Sequence, residues 1–564
     1  MSHADTLLIG SVFTVDPSHP RAEAVAVKDG RIMAVGSLSD LAEVRGPSTV
    51  VLDLSGRSIL PGFQDSHVHP PAGGWQMMNC DLDPCKSVAE YLETIRRFAA
   101  DHPGQEWIRG GGWSMPLFPG GNPRAEDIDR VVSDRPVVLE SSDGHSTWVN
   151  SVALRRAGIT ADTPDPSDGV IARDAKGNPI GTLHEGAAEL VKEHIPDISQ
   201  EDLDAALVIA QRYLHSLGIT AWQDAIVGSD SWGQTLDVYV RAAERGLLTA
   251  RVVGAQWWER HQGEEQIERF IQNRAKANVG RFRATSVKIM QDGIVENGTA
   301  AFLDPYLDPC TSGQECHHNP DNRGISMVDP ELLPGYVTRL DAEGFQVHFH
   351  AIGDRAVREA LDSFEAARSA NGKNDNRHHI AHIQVVHPDD IPRFAALDVV
   401  ANGQPLWATY DDQMVELGLP ILGEPRSSYQ YPFASLLRSG ARLAFGSDWS
   451  VSTPDPMEEM AIAVNRAMSA EDAAEARSGR GAEPFYPEEC LSLEEAIHAF
   501  TMGTAYVNHL DEVTGSLTPG KYADIAVLDR NIFDRGEGEI RAPEVSLTMV
   551  EGQVVHSADG LPTS

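Results

Sequence analysis

Two histidines with one residue between them, His67 and His69, follow an apolar run and a Pro-Gly-Phe turn. In a β-strand, side chains at positions i and i+2 lie on the same face, so both imidazoles would point the same way, about 6–7 Å apart at Cα. Two imidazoles in that arrangement can bind one metal ion. Because His-x-His also occurs by chance, the pair alone is equally consistent with ordinary surface or hydrogen-bonded histidines.

Four further polar residues lie in or directly after other short apolar runs. They are of types that bind metals, and each occupies a position where a predicted strand ends or is about to end. In a parallel barrel the carboxyl ends of the strands meet at one rim, where functional groups gather. The whole set therefore predicts a metal site: His67, His69, Lys288, His350, His382 and Asp448.

Lys288 is unusual because it lies within the apolar run Val287-Lys288-Ile289-Met290. A buried ammonium group is costly unless it is paired. One interpretation is a salt bridge to Asp292 or Glu296, and the other is carbamylation by CO2, which creates an anionic oxygen ligand able to bridge two divalent ions. For Asp224, Asp292 and Glu296, which also follow predicted strands, we expect solvated or helix-capping roles.

Eight apolar runs supply the strands that would position these residues, at 60–69, 218–222, 250–254, 286–290, 346–350, 379–383, 399–402 and 442–446. Helical patterns separate most of them, for example at 204–217, 235–246, 356–369 and 456–468. This alternation favours parallel βαβ units, and eight such units predict an α/β fold of the TIM (β/α)8 barrel type.

The barrel pattern does not account for the whole chain. Residues 70–200 are too long for one crossover and contain their own strand candidates at 107–110 and 136–140, so we expect an insertion over the barrel mouth. Short strand patterns at both ends of the chain predict one small composite β-sandwich, with two separate β modules as the alternative. The expected division is 1–60 and 511–564 for the sandwich and 61–510 for the barrel with its insertion.

Composition excludes several classes of function. The chain has 46 basic and 83 acidic residues, a net charge of −37, which argues against binding to nucleic acid or to anionic membranes. No apolar run of 18 residues and no signal-peptide pattern is present, so we expect a cytoplasmic protein. Cys310 and Cys316 precede His317 and His318, but their spacing matches no standard zinc pattern, and a plain loop is the better interpretation.

Several motifs together resemble one family. They are the stretches 60–69, 347–356, 446–449 and 515–525, and residues 143–150 add a similarity in the insertion. In these motifs the chain resembles the amidohydrolase superfamily, in the YtcJ-like branch that includes N-substituted formamide deformylases. The resemblance spans essentially the whole chain. It implies a TIM barrel with a composite β-sandwich, one or two divalent metal ions, usually zinc, and a homo-oligomeric assembly.

The resemblance also implies roles for individual residues. His67 and His69 would bind the more buried ion, which Asp448 would also contact while it transfers the proton. Carbamylated Lys288 would bridge to a second ion, whose further ligands would be His350 and His382.

Two more histidines are candidates for the site. His145, in the insertion, is a candidate catalytic hydrogen-bond donor to the oxyanion, with a loop histidine bonded to backbone as the alternative. His348 lies on the same strand face as His350 and has no assigned role. Five tryptophans could line an apolar substrate pocket, although burial in the core is the commoner role of such residues: Trp113, Trp148, Trp222, Trp407 and Trp449.

The predicted activity is metal-dependent hydrolysis of a C–N bond, in an amide or N-acyl group of a small molecule, by metal-bound hydroxide. Alternatives on the same scaffold are a deaminase and a cyclic-amide hydrolase. A non-catalytic barrel relative is the alternative from another class of protein, although the retained metal-binding set argues against it.

Overall fold

Four strands at the N-terminus form the first part of a β-sheet. In the computed structural model, which describes residues 3–229, 234–307, 321–534, 540 and 543–558, they are β1 (Thr6–Phe13), β2 (Arg21–Lys28), β3 (Arg31–Gly36) and β4 (Val50–Pro61). A hairpin joins β2 and β3: Lys28 pairs with Arg31, and both residues between them, Asp29 and Gly30, have positive φ of 48° and 75°, as a two-residue turn of this kind requires.

The first barrel strand, β5 (Phe63–Val68), follows β4 almost directly. A long segment with its own six-stranded sheet comes next, in the order β10-β11-β9-β8-β7-β6. Its strands are β6 (Cys80–Asp81), β7 (Ile108–Trp113), β8 (Val137–Ser141), β9 (Ser146–Val149), β10 (Gly169–Arg173) and β11 (Pro179–Glu185). Its helices are α1 (Pro70–Met77), α2 (Val88–Asp101), α3 (Ala125–Asp129), α4 (Ser151–Arg156) and α5 (Glu189–Lys192).

The central sheet has eight parallel strands in the order β18-β17-β16-β15-β14-β13-β12-β5. After β5 these are β12 (Ile219–Val227), β13 (Arg251–Trp257), β14 (Phe282–Met290), β15 (Gln346–Ala351), β16 (His379–His382), β17 (Val400–Gly403) and β18 (Leu443–Phe445). All eight overlap the runs from which they were predicted. All neighbours along this order pair in parallel, and the two edge strands do not pair with each other.

Helices separate most of these strands, as the alternating pattern predicted. They are α6 (Gln200–Ser216), α7 (Thr235–Glu244), α8 (Ile267–Lys276), α9 (Leu333–Ala342), α10 (Asp354–Asn371), α11 (Ile391–Leu397), α12 (Leu419–Leu422), α13 (Phe433–Arg438), α14 (Pro456–Asn465), α15 (Ala470–Glu475), α16 (Leu493–His498) and α17 (Thr504–Val507). No helix in the described part of the chain is long and apolar enough to cross a membrane.

The two edge strands of this sheet, β5 and β18, contact each other and leave a barrel that is nearly closed. Asp448 donates its backbone N–H to the carbonyl of His67 at 2.7 Å. Asp65 accepts a 2.6 Å hydrogen bond from the Ser447 hydroxyl. A Cβ at Gly446 would lie only 2.4 Å from the backbone nitrogen of His67, so this close approach requires glycine.

The C-terminal strands β19 (Ile525–Leu528), β20 (Val545–Val550) and β21 (Gln553–Ser557) return to the N-terminal ones. Together they form one seven-stranded sheet, in the order β21-β20-β19-β4-β1-β2-β3, in which β19 pairs antiparallel with β4. Arg251 of β13 links this sheet to the barrel, because it pairs with Asp524 and, at 2.5 Å, with Glu551. The two ends of the chain therefore share one sheet.

Three of the five tryptophans proposed for a pocket are core residues. Trp113, Trp148 and Trp222 are fully buried, and each indole N–H donates to a protein oxygen. The pocket interpretation is wrong for these three, because their strands turn them into the apolar interior rather than toward the rim. The predicted loop around Cys310, Cys316, His317 and His318 lies outside the described residues.

Candidate metal centre

Two imidazoles and one carboxylate meet at the seam between β5 and β18. The Nε2 atoms of His67 and His69 lie 3.2 and 2.9 Å from Oδ1 of Asp448. One potential ligand atom from each residue lies within 4.8 Å of those of the other two. This is the arrangement predicted for His67 and His69, and imidazole nitrogen with carboxylate oxygen is a donor set that suits zinc.

His350 and His382 complete the group from β15 and β16. Their ring centroids lie 4.4 Å apart, and the ring of His382 lies 4.7 Å from that of His67. Nδ1 of each ring is buried without a hydrogen-bond partner, although His350 Nδ1 lies 3.3 Å from Oδ1 of Asp292. An unsatisfied buried polar atom costs about 1–3 kcal/mol, so these two nitrogens fit a bound cation.

The tautomer of His67 follows from the residues behind it. Gln223 donates its amide N–H to Gln346 and to Asn508, so its oxygen accepts a 2.7 Å hydrogen bond from Nδ1–H of His348. Nε2 of His348 must then accept from Nδ1–H of His67, at 2.9 Å. The lone pair of His67 therefore lies on Nε2, which faces Asp448, and His348 acquires a role in orienting a ligand.

Charge in the group also favours metal binding. Burial, with the nearby Lys288 ammonium, lowers the pKa of His67 to about 3, so the imidazole is neutral, as a ligand must be. Burial alone would raise the pKa of Asp448, but His67 and His69 hold it well below its usual value. The site thus presents a carboxylate beside neutral imidazoles.

Lys288 is buried and forms no ion pair with Asp292 or Glu296 within the described structure; its Nζ lies 3.1 Å from Nε2 of His67. Burial lowers the pKa of Lys288 to about 7, against the opposing charges of Asp448 and Asp224. The salt-bridge interpretation is therefore wrong, because the strand directs this amine toward the ligands instead.

His145 reaches the centre from the insertion and is not held by backbone. Its Nδ1 lies 3.0 and 3.1 Å from the two carboxylate oxygens of Glu185, the last residue of β11. Thr299, from the segment after β14, donates a 2.9 Å hydrogen bond to the same carboxylate. Burial would lower the pKa of His145, but Glu185 raises it to about 9. The ring lies 5.5 Å from that of His350.

Three residues of the site have a left-handed backbone without being glycine: Glu185 with φ of 50°, His382 with 73° and Asp448 with 58°. Such conformations cost about 1–3 kcal/mol each and concentrate at functional sites. Glu185 and His382 are the last residues of β11 and β16, and Asp448 lies three residues after the end of β18. The fold therefore holds these side chains at positions that their own backbone preferences disfavour.

Two cavities adjoin the group. The larger, of about 630 Å³, has walls from both the barrel rim and the insertion, and Trp75, Glu140, Lys192 and Arg260 are among its lining residues. The smaller, of about 210 Å³, lies on the side of His350 and Trp407. His145, His350, His382 and Asp448 line both cavities, so the candidate metal centre lies between them.

All six predicted ligands and His145 line the larger cavity. Asp292 is not solvated as expected: it is fully buried and accepts hydrogen bonds from the backbone N–H of Ala301, Ile352 and Gly353. Asp224 is also buried and accepts a 2.7 Å hydrogen bond from the Tyr239 hydroxyl.

Sequence reasoning missed Glu185 and Gln223. Glu185 ends β11, which pairs with β9, the strand that directly follows His145. The only local sequence signal for Glu185 is that it is an acidic residue at the end of a strand. Gln223 lies on β12 and meets His348 of β15 across the barrel, a contact for which the sequence carries no signal.

Comparisons with known proteins identify the family of this chain. A family model described as the amidohydrolase family (Amidohydro_3) matches residues 50–556. "Protein LONG AFTER FAR-RED 3" of Arabidopsis thaliana is 33% identical, over 98% of this chain and 92% of that protein. "Putative amidohydrolase YtcJ" of Bacillus subtilis is 30% identical, over 97% and 98%. "N-substituted formamide deformylase" of Arthrobacter pascens is 27% identical, over 99% of each.

A solved structure has the same fold. It is described as an uncharacterized metal-dependent hydrolase from Pyrococcus horikoshii, with a TM-score of 0.71 and 24% identity, and the match covers 94% of this chain and 99% of that one. The family match spans most of the chain, including the positions of His67, His69 and Asp448. The chain therefore belongs to the amidohydrolase family.

Proposed function

We propose that this protein hydrolyses a C–N bond, in an amide or N-acyl group of a small molecule, with one or two divalent ions, most simply zinc. The observation that carries the proposal is the meeting of His67, His69 and Asp448, whose potential ligand atoms lie within 4.8 Å of one another at the floor of a large cavity. In our proposal Lys288, as a carbamate, joins His350 and His382 in completing the ligand set.

When bound, a divalent ion supplies a hydroxide nucleophile near neutral pH and polarises the substrate carbonyl. Asp448 is suited to accept the proton of the attacking water, because its pKa is held low and it is therefore a carboxylate. The same carboxyl group can then pass that proton to the leaving nitrogen.

His145 is suited to bind the carbonyl oxygen as negative charge develops there. Glu185 engages Nδ1 of His145, so Nε2 is the nitrogen left for the substrate. Because both residues come from the insertion, that segment supplies a catalytic group as well as a wall that excludes water from the cavity.

The substrate class is the part of the proposal that the relatives help to narrow. The Arthrobacter relative is named for deformylation of N-substituted formamides. N-substituted formamides are therefore the first compounds to test, followed by acetamides and N-acyl amino acids. Homo-oligomeric assembly and cytoplasmic location stay predictions.

The test is hydrolysis of this panel by zinc-loaded protein, with Asp448→Asn as the matched variant. We expect amine release by the native protein and a loss of kcat of about 10²–10⁴-fold in the variant, with an unchanged circular dichroism spectrum. A native protein that is inert on every amide, or a variant with native kcat, would contradict the proposal.

A further inference from the structure

The 210 Å³ cavity, which we call the inner chamber, is not explained by the chemistry of C–N hydrolysis. It opens onto the candidate metal centre through His145, His350, His382 and Asp448. A substrate whose reacting carbonyl lies at the centre can therefore extend into two spaces. One is the larger cavity of about 630 Å³, which we call the outer cavity, and the other is the inner chamber. The residues beyond the centre decide what the chamber accepts.

Besides Asp143 and Asp448, two further carboxylic acids, Glu296 and Asp411, line the inner chamber, and none of the described Lys and Arg side chains lines it. Neither acid forms an ion pair with a basic side chain in the part of the chain that the structure describes. Asp411 accepts a 2.7 Å hydrogen bond from the backbone N–H of Met414, which keeps its carboxyl group in place. Their removal from water raises the pKa of Glu296 to about 7 and that of Asp411 to about 6.

Aromatic side chains form another part of the wall. Tyr431 is only 2% exposed, it lines the chamber, and its hydroxyl makes no hydrogen bond to any described residue. The indole of Trp407 stacks on the ring of His382 with centroids 5.5 Å apart. The Tyr431 side chain is thus buried as a whole, and its hydroxyl is a polar group on the chamber wall that a ligand can hydrogen-bond.

We propose that the inner chamber is a specificity pocket for a small cationic nitrogen group of the substrate, such as an ammonium, bound by Glu296 and Asp411. Carboxylates together with the faces of Trp407 and Tyr431 are the groups that bind organic cations. The Tyr431 hydroxyl accepts one of the ammonium hydrogens. This inference rests on the proposed function, because it assigns the chamber to the substrate of the same site.

The experiment compares two hydroxamates that differ at one end, 5-aminopentanohydroxamate and hexanohydroxamate. Both can bind zinc through the hydroxamate, while an ammonium in one replaces a methyl group in the other. Calorimetry on zinc-loaded native protein should show the ammonium compound binding at least about tenfold more tightly. The reason is that the ammonium makes charge-assisted hydrogen bonds that the methyl group cannot make. The double variant E296Q/D411N should lose this preference.

Glu416→Gln is the matched control. Glu416 lies in the same segment as Asp411 but is exposed and pairs with Arg477, so its substitution removes one negative charge, as each substitution of the double variant does, without altering the chamber. The variant should retain the tenfold preference. Tyr431→Phe should reduce the preference in part, because it removes one acceptor and keeps the aromatic face.

Equal binding of the two hydroxamates to native protein, failure of both to bind, or an unchanged preference in the double variant would overturn the inference. Hydrolysis of the amide panel separates it from the proposed function. A protein that hydrolyses amides but does not discriminate between the hydroxamates disproves the pocket alone. A protein that discriminates between them but hydrolyses no amide disproves only the proposed reaction.

Discussion

His67 can present only one nitrogen to a metal ion, because the other nitrogen is hydrogen-bonded to His348. The hydrogen bonds that run from Gln223 through His348 to His67 fix which nitrogen is free, without any charged group. On the other side of the site, Glu185 fixes His145 through a charged contact. At the scale of single residues, the orientation of these histidines therefore depends on residues that are not proposed to contact the substrate.

Glu185→Gln should weaken the action of His145. Burial lowers the pKa of His145 and the Glu185 carboxylate raises it to about 9, so removing that charge lowers the pKa. If the protonated ring binds the oxyanion, activity is full below this pKa and is lost above it. The alkaline limb of the kcat profile should therefore move to lower pH, with kcat at pH 8 falling about 10–100-fold.

The measurement is kcat and KM from pH 6 to pH 10 on the most active amide. Glu185→Asp, which keeps the charge, should return the alkaline limb toward its native position. Glu193→Gln removes an exposed carboxylate of the outer cavity and should not move the limb. A limb at the native pH in Glu185→Gln would show that Glu185 does not act through the ionisation of His145.

Lys288 should carry a carbamate when bicarbonate and zinc are present. Burial lowers the pKa of its ammonium to about 7, so a large fraction of the amine is neutral and nucleophilic near neutral pH, and that fraction grows as pH rises. Protein incubated with ¹³C-bicarbonate at pH 8 should show a carbamate carbon resonance by NMR. Lys288→Arg should lack it, and its absence from native protein would exclude the carbamate ligand.

At the scale of elements, the sequence predicts the positions of the strands well, but it predicts the side-chain contacts between distant segments poorly. The runs at 286–290 and 346–350 lie within or almost coincide with β14 and β15, because buried parallel strands are short continuous apolar segments. Strand ends then locate Lys288, His350 and His382. Glu185 was missed because its contacts, His145 and Thr299, are brought to it only by pairing within the insertion and by docking on the barrel.

The link between the barrel and the terminal sheet gives a prediction at this scale. Arg251 of β13 is buried with Asp524, the residue before β19. Arg251→Met leaves that carboxylate buried with Thr514 as its remaining side-chain partner. We expect the free energy of unfolding to fall by about 3–5 kcal/mol, the usual effect of breaking a buried ion pair, measured by urea denaturation.

Arg281→Gln is the control for this effect. Arg281 pairs with Glu551 at 2.6 Å but is 29% exposed, so water can replace the lost contact. The loss of stability should be at most about 1 kcal/mol. Equal losses in the two variants would show that the buried pair does not hold the sheet to the barrel.

At the scale of the whole molecule, the candidate metal centre spans the seam where the barrel closes. His67 lies in β5, His69 directly follows it and Asp448 follows β18, and no strand ladder joins these two strands. Backbone contact there is confined to bonds such as that from Asp448 N–H to the His67 carbonyl. A metal ion held by all three residues would tie the two edges of the sheet together.

Removing the ion should therefore loosen the seam more than the rest of the fold. We expect chelation to speed hydrogen exchange in peptides covering 63–69 and 443–449, because the native state loses the binding free energy that favours the closed seam. Peptides covering 525–528, which pair with β4 far from the ligands, should exchange at the same rate. In Asp448→Asn, which weakens the ligand set, chelation should change the seam much less. Uniform acceleration across both regions would instead mean that the ion stabilises the molecule as a whole and does not act through the closure of the barrel.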